Sequence, residues 1–135
     1  MTDHVALLRL AWPTKPLWAN SRVHWAKRSK AVAAYRREAY CLALEQPAVK
    51  LKLSRPLLTF TFHPPDNRRR DIHNMPHTMK ATIDGIADAM GVDDQHFLCR
   101  WPGVFAKPVT DGCVLIEVKA TPREIDTENG ELLEW

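Results

Sequence analysis

Arg68-Arg69-Arg70 runs directly into Asp71, and an adjacent carboxylate pair, Asp93-Asp94, follows further along the chain. Hydrolysis of a phosphodiester at neutral pH needs a metal ion to generate hydroxide and to neutralise the phosphoryl oxygens, and Mg²⁺ requires hard oxygen ligands, chiefly carboxylates. The planar fork of arginine suits a grip on phosphate oxygens beside such a metal. Lys80 can approach a scissile phosphate and stabilise charge building on it or on the leaving oxygen. His73 has three open roles: metal ligand, general base for water, or loop histidine touching phosphate. As a ligand, its imidazole suits Mn²⁺ better than Mg²⁺. His77 reads as a surface residue at a helix start. Each feature also has a plainer reading. Aspartate is favoured in turns by its backbone hydrogen bonding, Arg-Asp pairs decorate solvated loops, and Lys80 can pair with Asp84 one helical turn on.

The elements that must position these side chains follow from patterning. Val5 to Trp12 is mostly apolar and ends at Pro13 and Pro16, as expected of a strand running into an irregular connection. From Asn20 or Ser21, both good N-caps, to about Glu45 there is neither Pro nor Gly. Trp25, Val32, Tyr35, Ala39 and Leu42 recur there at roughly helical spacing, which predicts a long helix. Leu57 to His63 places Phe60 and Phe62 on one face and Thr59 and Thr61 on the other, a second strand. The polar segment PPDNRRRDIHN leaves that strand as a loop. A second helix accepts Pro76 in its first turn, carries Met79, Ile83, Ile86, Ala87 and Met90 as its apolar stripe, and stops at Gly91. Lys80, Asp84 and Asp88 share its opposite face. Two further strands are expected at about Gln95 to Phe105 and Gly112 to Ala120. The order β-α-β-α-β-β implies an α+β class, a single domain with a mixed sheet and two main helices. Asp71 and Asp93-Asp94 flank the second helix, whose ends lie about 20 Å apart at 1.5 Å rise per residue. To converge, the loop of residues 64 to 75 must fold back along the helix.

Composition narrows the classes of function. In 135 residues, 45% are hydrophobic and 26% charged, which suits one globular domain and leaves no apolar run of membrane-spanning length. The N-terminus lacks the basic stretch, apolar stretch and cleavage site of a secretory signal and is read as that of a cytoplasmic protein. Cys41, Cys99 and Cys113 form no CxxC and are expected to be reduced core cysteines. The net charge of +3 is uneven. Residues 121–135 set Arg123 against Glu124, Asp126, Glu128, Glu131 and Glu134, a net −4, leaving +7 on residues 1–120. A basic domain of this kind suits a polyanionic partner. Lys27, Arg28, Lys30, Arg36 and Arg37 crowd the first helix, either as a phosphate-tracking face or as a solvated one. The acidic tail shows no sustained pattern and is expected to be disordered or to dock on a partner.

The segment PPDNRRRDIHNMPHTMKATIDGIADAMGVDD strongly resembles the central motif of the RusA-type Holliday junction resolvases. In that family a basic run leads into Asp-x-Asp-Asn, a lysine and an aspartate follow on a helix, and an Asp-Asp pair closes the site. The start of the chain, a strand ending in Trp-Pro followed by Asn20-Ser21-Arg22 and a basic helix, is similar too. The resemblance spans roughly residues 7 to 119. It implies that Asp71 and Asp94 are catalytic metal ligands for Mg²⁺ or Mn²⁺, with Asp93 or Asp84 able to assist, and that Lys80 is the essential lysine. It further implies a homodimer with two-fold symmetry that binds branched DNA, a four-way junction, and nicks two strands symmetrically. Arg68, Arg69, Arg70, Asn20, Arg22, Lys27, Arg28 and Lys30 are the expected DNA contacts. Two departures mark a divergent, phage-type branch: His73 stands where the family has its middle aspartate, and about three extra residues separate Asn74 from Lys80. The alternatives carried forward are a junction-binding protein weakened in catalysis and a nuclease acting on other branched DNA.

Overall fold

The computed structural model describes residues 6–18, 22–46 and 55–120, together with 125–126 and 131–132. The first strand, β1 (Ala6–Ala11), alternates strictly, with Ala6, Leu8 and Leu10 buried and Leu7, Arg9 and Ala11 exposed, so one face rests on a core. A long helix, α1 (Trp25–Leu44), leads to β2 (Pro56–His63). Two helical pieces, α2 (Met75–Thr78) and α3 (Lys80–Met90), then connect to β3 (Leu98–Arg100) and β4 (Cys113–Ala120). The sheet order is β1-β4-β2-β3. β4 runs antiparallel to both neighbours, with Ile116 opposite Leu8 on one side and Phe60 on the other. β2 and β3 are parallel, with Leu57 opposite Leu98, and a parallel pair needs a crossover, here supplied by α2 and α3. The result is a single small α+β domain with a mixed sheet and two main helices, as the element order implies.

The two helices pack on each other and on one face of the sheet. Leu8, Leu10, Phe60, Phe62, Val114 and Ile116 from the sheet meet Tyr35, Ala39, Met79, Ile86 and Met90 from the helices in one buried cluster. Phe60 is stacked on Trp101 at 4.2 Å between ring centroids and 16° between planes. The Tyr35 hydroxyl donates to the Ala11 carbonyl at 2.8 Å, tying α1 to the end of β1. Burial holds that phenol protonated by raising its pKa well above the ordinary value. None of the described helices is long and apolar enough to cross a membrane.

Several expectations are corrected. The first helix begins at Trp25 rather than at Asn20 or Ser21, because His24 is the cap and its Nδ1 accepts the Ala26 N–H at 3.1 Å. Of its apolar stripe, Tyr35 and Ala39 turn inward, whereas Trp25 is 74% exposed and Val32 38%. The second helix is interrupted at Met79. There the backbone flattens to ψ near 0°, although Met79 N–H still reaches Met75 O and Ile83 N–H reaches Met79 O. Thr78 Oγ1 donates to Asn74 O at 3.0 Å, the kind of back-bonding that bends a helix. Gly91 ends α3 at φ 68°, as its position predicts. The third strand shrinks to three residues, because Asp94–His96 form a 3-10 turn before it and Pro102, lacking an N–H, follows it. Cys113 is buried and Cys99 half-buried, but Cys41 is exposed on α1; none of the three is in a disulfide. The expectation for the acidic tail falls largely outside the described residues. Within it, Ile125–Asp126 and Glu131–Leu132 pair as a short antiparallel ribbon.

Candidate functional site

The loop after β2 is held by its own charges. Asp66 Oδ1 accepts the Arg68 backbone N–H at 2.9 Å and Arg70 Nη2 at 2.8 Å, and Arg70 Nη1 donates to the carbonyls of Asp66 and Arg68 at 3.1 Å. The backbone bond from Arg68, with Arg70 next, lowers the Asp66 carboxyl below its ordinary pKa. The Arg70 guanidinium also lies 5.5 Å above the Trp12 ring, and its side chain is only 14% exposed. Of the three predicted phosphate contacts, Arg70 therefore turns back on its own loop, while Arg68 and Arg69 remain exposed. Asp71 is exposed and caps the next turn, accepting the His73 backbone N–H at 2.9 Å. His73 thus meets Asp71 through its main chain, with its imidazole exposed.

Arg68, Arg69 and Asp71 line a cavity of about 610 Å³ together with Trp12, Lys15 and Trp18, which come from the end of β1 and the turn beyond it. Gly112, at φ 67°, lets this wall close: a side chain there would lie 2.9 Å from Pro65 and 3.0 Å from the Trp12 Cβ. Trp12, Lys15 and Trp18 were not among the predicted site residues. Only the tertiary fold brings them to the loop.

At α3, Lys80 is the centre of a second grouping. Its Nζ is 2.5 Å from Asp94 Oδ2 and 3.1 Å from Asp84 Oδ1. The pairing of Lys80 with Asp84 is what helical spacing predicts; the contact with Asp94 joins α3 to the turn beyond it. Asp93 caps that turn, its Oδ1 accepting the Gln95 N–H at 3.1 Å. Asp84, Asp88, Asp93 and Asp94 line a cavity of about 230 Å³ with Arg36, which is tied to Asp88 at 2.6 Å. Arg36 therefore bridges α1 and α3 while its side chain stays 46% exposed. The bond from Lys80 lowers the Asp94 carboxyl, and the bonds from Asp94 and Asp84 raise the Lys80 ammonium. Burial, with Asp94 nearby, pushes the Cys99 thiol up to about 11.

Asp71 and Asp94 line different cavities, which share no lining residue. Among the described residues no group of three His, Cys, Asp or Glu side chains is arranged to hold a metal ion. Asp93 and Asp94 offer hard oxygen donors together with Asp84, which is the right chemistry for Mg²⁺. On α1, Lys27 and Lys30 are exposed, as is Arg22 before the helix. Arg28 donates from Nη1 to the Trp18 carbonyl at 3.3 Å. Asn20 lies outside the described residues. His77, exposed as expected, lines a small cavity with Arg28, Lys80 and Asp84.

The Lys80–Asp94 pair has a pH signature. The contribution of Asp94 is present above its ordinary pKa and is lost as pH falls through its lowered folded value; that of Lys80 is present below its ordinary value and is lost as pH rises through its raised one. The pair is therefore intact across neutral pH. In a carboxyl-carbon NMR titration, Asp94 is expected to titrate below an ordinary aspartate in the wild type and to move back up in Lys80→Ala. An unchanged Asp94 titration in that variant contradicts the pairing.

No family model matches the chain. It is 42% identical over 96 residues to an uncharacterized protein of Xylella fastidiosa (strain Temecula1 / ATCC 700964), a stretch that covers 67% of this chain and 61% of that protein. The chain thus spans about 61% of the length of the relative it matches.

Proposed function

We propose that this chain is a RusA-like, metal-dependent DNA endonuclease that resolves four-way junctions by paired, symmetric nicks, acting as a homodimer. The observation that carries this reading is the contact between Lys80 and Asp94, which brings together two of the residues that the motif resemblance singles out. The exposed pair Arg68 and Arg69 beside Asp71 supports it, as a phosphate grip next to a carboxylate. In this reading Asp71 and Asp94, with Asp93 or Asp84 standing in for the carboxylate replaced by His73, would hold Mg²⁺ or Mn²⁺. The chemistry a bound ion would supply is neutralisation of phosphoryl charge and a water of lowered pKa. The chain's own residues do the rest. Arg68 and Arg69 fix the DNA backbone, and the Lys80 ammonium, protonated at neutral pH, offsets charge on the phosphate or the leaving oxygen.

The test is a synthetic four-way junction incubated with the purified chain and Mg²⁺ or Mn²⁺. Paired nicks at symmetric positions are expected, and Asp71→Asn is expected to reduce them by about a hundredfold or more. Binding without cleavage in either metal, with Asp71→Asn indistinguishable from wild type, would rule the nuclease out.

His73, standing where the family has a carboxylate, motivates a second reading, a junction-binding protein weakened in catalysis. Its signature is tight junction binding that survives chelation of all divalent metal. Competition between junctions, forks and flaps separates either reading from a nuclease of other branched DNA.

A further inference from the structure

A phosphate grip explains only part of the cavity beside Asp71. Arg68, Arg69 and Lys15 supply its cations, and phosphate recognition has no use for two indole rings in the wall. Those rings are firmly placed. Trp12 packs on Trp18 at 5.8 Å and 45° and on Phe105 at 6.3 Å, with the Arg70 guanidinium 5.5 Å above it. The indole N–H of Trp18 is spent on the Pro13 carbonyl at 3.2 Å. What Trp18 turns to the cavity is therefore aromatic surface without a polar demand of its own. The tilt and separation of the pair leave no slot between the rings, so a flat ligand must rest on their cavity side. A volume of about 610 Å³ is ample for a single nucleotide.

The ligand that matches an aromatic wall rimmed by arginines is a flat ring joined to a phosphate. In duplex DNA each base face is covered by its neighbours, so only an unpaired nucleotide can present one. We infer that the Trp12–Trp18 cavity receives one unpaired nucleobase of branched DNA, stacked on the indole surface, while Arg68 and Arg69 hold its phosphate. This inference rests on the proposed function for the identity of the ligand as DNA. It adds that the chain recognises a base freed at the branch point, not the phosphate backbone alone.

The experiment places 2-aminopurine unpaired at the branch of a DNA fork, or paired within a duplex of equal length, and follows its fluorescence as chain is added. Stacking on the indoles is expected to change emission from the fork and to leave the duplex signal alone. Trp18→Leu is expected to weaken fork binding about tenfold and duplex binding less than about twofold. Trp18→Phe retains most of the fork affinity, and Trp25→Ala, at a tryptophan 74% exposed, changes neither. Melting curves and circular dichroism establish that each variant is folded; if Trp18→Leu is not, the wild-type emission and Trp18→Phe decide. Equal affinity for fork and duplex with no emission change overturns the inference, as does a folded Trp18→Leu that loses both substrates by the same factor. Junction nicking is scored in the same preparations. Nicking without an emission change overturns base capture and leaves the nuclease standing; an emission change without nicking overturns the nuclease and leaves base capture standing.

Discussion

Lys80→Ala is expected to lower the maximal rate of junction nicking by about two to three orders of magnitude, the range seen when one preorganised charge-stabilising group is removed. At the same time the Mg²⁺ or Mn²⁺ concentration giving half-maximal nicking should fall. The two effects have opposite signs because Lys80 does two things. Its ammonium sits 2.5 Å from Asp94 Oδ2 and 3.1 Å from Asp84 Oδ1, where it competes with any cation those carboxylates would bind. Removing it frees the oxygens for metal and removes the charge that stabilises the transition state. Asp94→Asn should lower both the rate and the metal affinity, since it deletes a donor. Because the two side chains touch, the double variant should be little worse than the weaker single variant, as contacting residues are not additive. A structural lysine predicts otherwise: Lys80→Ala would leave the nicking rate within a few-fold, with any loss tracking a lower melting temperature.

How far these residues can be read from sequence depends on the range of the interaction. Strand and helix identities follow from local pattern: the alternation in Ala6–Ala11, the aromatic and threonine faces of Pro56–His63, and the stripe ending at Gly91 are each set by side chains a few residues apart. Boundaries went astray where a side chain captured a nearby backbone group. His24 caps the first helix at Trp25, Thr78 bonds back to Asn74 beside the break at Met79, and Asp93 caps a turn of Asp94–His96 where a strand is expected from Gln95. The pairing of Lys80 with Asp84 is visible at helical spacing, whereas its contact with Asp94 depends on how the turn after α3 folds back and has no local sign in the sequence. Arg70 read as a phosphate contact, yet its bonds to Asp66 and its place over Trp12 depend on a loop conformation that composition does not encode. Trp12 and Trp18 carried no local sign of their place beside Asp71, since β1 and the loop after β2 are brought together by the sheet.

The helix pair that carries Lys80 rests on one small residue. Gly85 lies at the crossing of α1 and α3, where an added Cβ would stand 2.3 Å from the Arg36 carbonyl oxygen, 3.1 Å from the Ala39 Cβ and 3.1 Å from the Tyr40 N. Two effects oppose each other in Gly85→Ala. Alanine improves helix propensity by about 1 kcal/mol. The clash, however, is with main-chain atoms that cannot rotate away, so α3 must lift off α1, and overpacking of this kind costs about 1–3 kcal/mol or more. At 2.3 Å from a backbone oxygen the steric cost falls at the upper end of that range, so a net loss of about 2 kcal/mol is expected, a fall in melting temperature of roughly 6–10 °C for a domain of this size. Gly103→Ala is the control, because nothing lies within 4 Å of a Cβ there. The shift should also reach the site, since Arg36 on α1 is bonded to Asp88 on α3 across the same crossing, one turn from Asp84. Gly85→Ala should therefore lower nicking at temperatures well below its melting point, which a purely global loss of stability would not do. If Gly85→Ala melts within about 2 °C of the wild type, the helices do not cross as closely as described.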